Sequence, residues 1–254
     1  MSQFLISASY RSAIWGGGDE KNNRNHKSIS VMKIVLIGGR GTAIVIADQI
    51  WDAKQRFGMD IEVLGLALDD HSGGDEVSGY PILCDIKDAY EKFKKYDDVK
   101  FIYQLYRPDL MRERTQILTD LNIPIEKFCN FIHPSVMLAK SAKIGLGNVL
   151  LANVVVNCNA ILGNFNTVNS GTLLGHDITV GNNNYFAGQV CVGSGLSIGN
   201  ENFIGLNSSI RNGITIGNNN IVGMSSNITK SVDSNCVLYG NPAIIKPQLN
   251  HIIR

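Results

Sequence analysis

Over residues 132–233 a bulky apolar side chain returns at every sixth position without a break, from Ile132, Leu138 and Ile144 through to Ile216, Val222 and Ile228, seventeen in succession. Helices repeat near 3.6 residues and strands at 2, so neither accounts for a period of six. A parallel β-helix does, because each hexapeptide is a short strand plus a turn whose anchor points into a prism. Glycine follows the anchor in nine of the seventeen units. Asn148, Asn184, Asn202 and Asn220 stand four places past their anchors, where asparagine's tolerance of left-handed backbone angles predicts that they shape the turns. A run of antiparallel hairpins has no reason to hold a strict period of six over about a hundred residues.

Upstream the pattern changes. An apolar β-branched strand is predicted over residues 31–37, a glycine-rich turn over 38–42 and a helix over 43–56, the opening of a Rossmann-like unit. Strands over 61–68 and 99–105 and helices over 85–95 and 109–121 continue the alternation. One small parallel α/β domain over 32–130 is therefore expected, followed by the β-helix and a short tail over 131–254. Residues 1–31 show no clean period and read as an extension, loop or poorly ordered, and Met32 opens the first strand so directly that it is a candidate original start.

Composition narrows the class. With 44% hydrophobic and 18% charged residues the chain is ordinary soluble protein. A net charge of +1 with mixed signs gives no footprint for nucleic acid. No apolar run approaches the length of a membrane span, and the early charges follow the short apolar segment, unlike a signal peptide. Five scattered cysteines without CxxC spacing predict reduced thiols and a cytoplasmic setting.

Three places carry candidate chemistry. Gly38, Gly39, Arg40 and Gly41 precede a helix, where glycines let the backbone approach a phosphate and unpaired N–H groups receive it. Asp69 and Asp70 end the second strand, and Arg107 ends a later one, the edge at which open α/β sheets bind ligands; a solvated loop is the plain alternative. His176 occupies the third place of its hexapeptide, away from the inward anchor, so its imidazole is expected to face outward toward a neighbouring subunit. An imidazole there can take a proton from an attacking amine or hydroxyl, with the adjoining Asp177 orienting the ring. A zinc site of clustered histidines is not expected, since the coil holds only His133 and His176, far apart in the repeat. Solenoids this narrow usually pack in threes, so a homotrimer is the default expectation.

The order of a Rossmann-like domain and a hexapeptide coil resembles the two-domain bacterial sugar acetyltransferases of the NeuD/PglD-like family, over residues 33–248. Matching segments are Gly38-Gly39-Arg40-Gly41-Thr42-Ala43, Asp69-Asp70, Gly79-Tyr80-Pro81-Ile82-Leu83, Asn169, His176-Asp177 and Gly240-Asn241-Pro242-Ala243. The resemblance implies a left-handed β-helix and a reaction that moves acetyl from acetyl-CoA to the amino group of a nucleotide-linked 4-amino-4,6-dideoxy sugar. It implies His176 as base, Asp177 or a nearby acid as its partner, and Asn169 in the catalytic set. A backbone N–H near Gly193 or Ser194 would meet the oxyanion, and Gly205, Gly223 and Pro242 would contact the coenzyme. No metal is implied. O-acetylation of sialic acid and a non-catalytic sugar-binding coil are the alternatives. The chain departs from the pattern at Thr42, Gly175 and Tyr185, where relatives often carry histidine, an acid and a second histidine.

Overall fold

The computed structural model describes residues 31–246. The expected extension, apart from Val31, and the end of the tail lie outside the described residues.

The α/β domain is a five-stranded sheet in the order β3-β4-β2-β1-β5, built from β1 (Met32–Gly38), β2 (Ile61–Ala67), β3 (Glu76–Val77), β4 (Tyr80–Cys84) and β5 (Val99–Gln104). β1 pairs in parallel with β2 and β5, and β2 with β4. The central strand is apolar on both faces because both are covered, as parallel sheets require. Sequence periodicity missed β4. Its hairpin with β3 turns on Ser78 and Gly79, both at positive φ (51° and 83°), the geometry of a two-residue turn. The helix α1 (Thr42–Phe57) covers one face of the sheet. The short α2 (Ala89–Phe93), entered through a 3-10 turn, and α3 (Met111–Asp120) flank the other. The helix expected over 85–95 is thus a broken one.

The coil contains seventeen two-residue strands, from Phe131–Ile132 to Asn227–Ile228, and each ends on its predicted anchor. Strands pair in parallel with those eighteen residues away, so three hexapeptides close one turn and three sheets form three faces. The first face runs through Thr167–Val168 and Tyr185–Phe186, the second through Leu173–Leu174 and Cys191–Val192, and the third through Thr179–Val180 and Ser197–Ile198. A second inward position lies two residues before each anchor, as alternation along a strand demands. A fully buried aliphatic anchor contributes roughly 1.5–3 kcal/mol, repeated coil after coil.

The asparagines four places past their anchors do not have the left-handed angles expected of them. They are fully buried and stacked: Asn166 Nδ2 donates to Asn148 Oδ1 (3.1 Å) and to Gly181 O (2.9 Å), and Asn184 and Asn202 repeat the pattern. The left-handed corner residue is the one before, three past the anchor, as at Asn183 (φ 56°) and Asp177 (φ 55°). The glycines directly after the anchors serve close approach: a Cβ on Gly175 would lie 2.3 Å from Gly193 O.

The α/β domain sits on the first face. Phe131, Val149 and Leu151 join its core, and Gln104 Nε2 donates to Thr167 Oγ1 (3.0 Å). Gln49 of α1 donates to Ser170 Oγ (3.0 Å) and accepts from the Ala152 N–H (2.7 Å) at the corner between the first and second faces. At the same corner the buried His133 meets Asp52 of α1 (Nε2 to Oδ2 3.1 Å).

Candidate active site

The corner between the second and third faces is the one opposite the α/β domain, and it carries His176. Residues eighteen apart stack there, so Cys158, His176, Ser194 and Asn212 form one column. The His176 side chain is exposed, and its Nδ1 lies 2.6 Å from Asp177 Oδ2. Asp177 Oδ1 in turn accepts from Asn159 Nδ2 (2.8 Å), one coil below. The bond from Asn159, and then that from His176, holds the Asp177 carboxyl below the usual carboxylate range. An ionised carboxylate at Nδ1 favours a proton on that nitrogen and leaves Nε2 free to act as a base. Asn159 was not identified from the sequence. The signal was present in the eighteen-residue spacing that places it under Asp177.

Ser194 stands directly above His176, whose backbone N–H donates to Ser194 Oγ (3.2 Å). The expectation of an oxyanion contact from a backbone N–H at Gly193 or Ser194 needs correction. The Gly193 N–H donates to Ile210 O and the Ser194 N–H to Asn212 Oδ1, each at 2.9 Å, because both bind the next coil. The Ser194 hydroxyl accepts from His176 and has its own proton to give.

Asn169 is not beside His176. It lies at the corner between the first and second faces, where its amide donates to Phe186 O (2.8 Å). Gly205 and Gly223 stack above it at eighteen-residue intervals, and packing explains both: a Cβ would come within 2.6 Å of Val222 O on Gly205 and 2.1 Å of the Tyr239 ring on Gly223. Leu206 and Met224, next to them, are 53% and 72% exposed and make an apolar ridge on that corner. Pro242 lies in the turn between β23 (Val237–Gly240) and β24 (Ala243–Lys246), which continues the first face.

In the α/β domain, Gly38 is packed against Gln104, but a Cβ on Gly39 or Gly41 would meet no described residue within 4 Å. α1 starts at that turn with no side-chain cap and no acid in its first turn. Open space before an uncapped helix start suits an anion. Arg40 closes the turn's edge through Nε to Asp70 Oδ2 (2.9 Å) and Nη2 to Asp70 O (2.8 Å). Bonds from Ser72 and then Arg40 drive the Asp70 carboxyl far below its ordinary range. Asp69 Oδ1 accepts the Ile86 N–H (2.8 Å) and so fixes the turn after β4. Arg107 stands just past the C-terminal end of β5 and is tied to its own loop. Its Nε and Nη2 both donate to Asp109, each at 2.7 Å, a partner two residues along the chain.

Among the described residues, no group of three or more His, Cys, Asp or Glu is gathered as a metal site, and no helix is long and apolar enough to cross a membrane.

No protein-family model and no curated protein matches the sequence. Solved structures do resemble it. PerB, a perosamine N-acetyltransferase from Caulobacter crescentus solved with CoA and GDP-perosamine, aligns with 87% of this chain and 100% of its own at a TM-score of 0.70 and 22% identity. The acetyltransferase domain of PglB from Neisseria gonorrhoeae, solved with acetyl coenzyme A, aligns with 85% of this chain and 99% of its own (TM-score 0.71, 22% identity). WeeI from Acinetobacter baumannii aligns with 84% of this chain and 100% of its own (TM-score 0.67, 21% identity). This likeness shows the shared architecture: a parallel α/β domain followed by a left-handed hexapeptide β-helix.

Proposed function

We propose that this protein is an acetyltransferase that moves the acetyl group of acetyl-CoA to the amino group of a nucleotide-linked 4-amino-4,6-dideoxy sugar in bacterial surface glycan synthesis. The observation that carries the reading is the exposed His176-Asp177-Asn159 chain on a hexapeptide coil that also bears an α/β domain with an open glycine turn. The solved relatives with CoA, acetyl-CoA or a nucleotide-linked amino sugar bound support it.

In this reading His176 Nε2 takes the proton from the sugar amine as its nitrogen attacks the acetyl carbon. The N–C bond forms, the C–S bond breaks, and the proton passes on to the departing thiolate. Asp177 steadies the imidazolium, Asn159 holds Asp177, and the Ser194 hydroxyl donates to the developing oxyanion. No acyl-enzyme is required, and Cys191, exposed on the second face, has no part in it.

Oligomerisation belongs to the mechanism. The glycine turn overlies the first face, His176 lies at the opposite corner, and the apolar ridge of Leu206 and Met224 occupies another. One chain cannot bring its own three parts together; copies packed side by side can. The second face, uncovered among the described residues and carrying the exposed Met137 and Leu173, is the surface assigned to that contact in a cytoplasmic homotrimer. Coenzyme A would lie along the ridge, which offers apolar side chains to its pantetheine arm. Nucleotide phosphates would meet Gly39, Gly41 and the start of α1.

The test is release of free thiol from acetyl-CoA on addition of UDP-, dTDP- or GDP-linked 4-amino sugars, with free sialic acid as a parallel acceptor. Release with one nucleotide amino sugar is expected. Release only with sialic acid, or with none, would overturn the proposal.

A further inference from the structure

The outward positions of the first face are Phe131, Val149, Thr167, Tyr185, Phe203 and Ile221 in successive coils. The first three are fully buried beneath the α/β domain, whereas the last three are only half-buried. The domain therefore ends over Tyr185, and an aromatic ledge emerges from the seam. The Tyr185 and Phe203 rings are stacked, with centroids 5.1 Å apart and planes at 3°. Tyr106 props Tyr185 from behind at 5.9 Å and is itself tied to Phe165 O. The Tyr185 hydroxyl lies 3.3 Å from the Thr42 hydroxyl, at the first residue of α1 and directly after the glycine turn.

The ledge thus has a polar edge at the glycine turn and apolar ring edges leading away from it. Stacking neighbours are common along a β-helix and by themselves mean nothing; what distinguishes this pair is partial exposure beside a turn whose glycines face open space. Apolar ring edges beside a hydroxyl suit a ligand with an apolar side and a charged end.

We infer that Tyr185 and Phe203 form the platform on which the acceptor sugar of the nucleotide-linked substrate lies, its diphosphate held at the Gly39–Gly41 turn. This rests on the proposed acetyl transfer. The nucleoside would extend the other way, toward the end of β2. The platform would select acceptors with an apolar ring face, such as a deoxy sugar, against heavily hydroxylated ones.

The experiment uses the full-length protein and calorimetric binding of UDP-, dTDP- and GDP-linked amino sugars, each beside its free nucleoside diphosphate. For whichever substrate the wild type binds, Phe203→Ala should weaken the sugar nucleotide about tenfold. It should leave the free diphosphate within about twofold and leave KM for acetyl-CoA unchanged. Phe203→Tyr should restore binding, which separates loss of the ring from loss of the fold. Equal weakening of sugar nucleotide and free diphosphate, or no weakening of either, would overturn the platform while leaving the proposed reaction standing. If the wild type binds none of the three sugar nucleotides, both the reaction and the platform fall.

Discussion

His176 and Asp177 are adjacent in sequence, yet their side chains meet, Nδ1 to Oδ2, at 2.6 Å. Consecutive residues of an extended strand point to opposite faces. The pair meets because Asp177 is the corner residue, and its φ of 55° swings the carboxylate back over the imidazole. The coil geometry, not the dipeptide, makes the acid a partner for the base.

If that pairing serves general-base catalysis, His176→Asn should lower kcat by roughly 10²–10⁴-fold, the usual worth of such a group. Asp177→Asn should lower kcat by a smaller factor with little change in KM for either substrate. Steady-state thiol release, with melting temperature as a fold control, checks both. Unchanged kcat in His176→Asn would remove the base assignment.

Asn159 gives the largest push that holds the Asp177 carboxyl low, with His176 second. A depressed carboxylate stays ionised to lower pH than usual. In Asn159→Ala the Asp177 titration should move upward toward the ordinary value of about 3.9. Carboxyl NMR of labelled protein reads this directly, and an unmoved titration would deny Asn159 its role.

Much of this was legible in the chain. The period of six located all seventeen anchors, and the outward place of His176 followed from counting within one hexapeptide. What the period could not supply was the direction of side chains around a corner. The asparagine ladder was misread because propensity suggests turn angles for Asn148 and Asn184, whereas tertiary stacking eighteen residues apart uses their amides instead. For Arg107 the strand-end position alone could not show that Asp109, two residues on, pairs with its guanidinium.

At the domain seam, burial pushes the His133 imidazole below its ordinary value of 6.5, while Asp52 opposes the shift and Arg56 adds to it. A histidine kept neutral in the fold makes the unfolded chain bind more protons between the two values, so stability rises with pH there. That stability is fully present above about pH 6.5 and is lost as pH falls below it. Asp52, lowered by His133 and Arg56 against its desolvation, adds a second loss further into acid. Melting temperature should fall between pH 7 and pH 5 in the wild type, and the slope should be shallower in His133→Gln.

Two glycines separate ligand space from packing. A Cβ on Gly41 meets no described residue within 4 Å, but one on Gly175 would lie 2.3 Å from Gly193 O. Gly41→Ala, at the N-cap of α1 (φ −94°, ψ −93°), should cost less stability than Gly175→Ala, yet reduce nucleotide affinity. Gly175→Ala should instead displace the corner that carries His176, lowering both melting temperature and kcat. Equal stability loss in the two variants would contradict the assignment of the turn as open binding space.

The buried asparagine ladder provides the test of the coil itself. Asn166 Oδ1 accepts from the Asn184 N–H (2.9 Å) and Nδ2 (3.0 Å), and Asn166 Nδ2 donates to Gly181 O (2.9 Å). Asn166→Ala strands these partners in the prism interior, and each buried group left unmade costs about 1–3 kcal/mol. Asn220, at the end of the ladder, has an Nδ2 without a partner among the described residues, so less depends on it. Denaturant unfolding should therefore rank Asn166→Ala well below Asn220→Ala in stability. The reverse order would mean that apolar anchors alone hold the coils in register and that the ladder merely fills space.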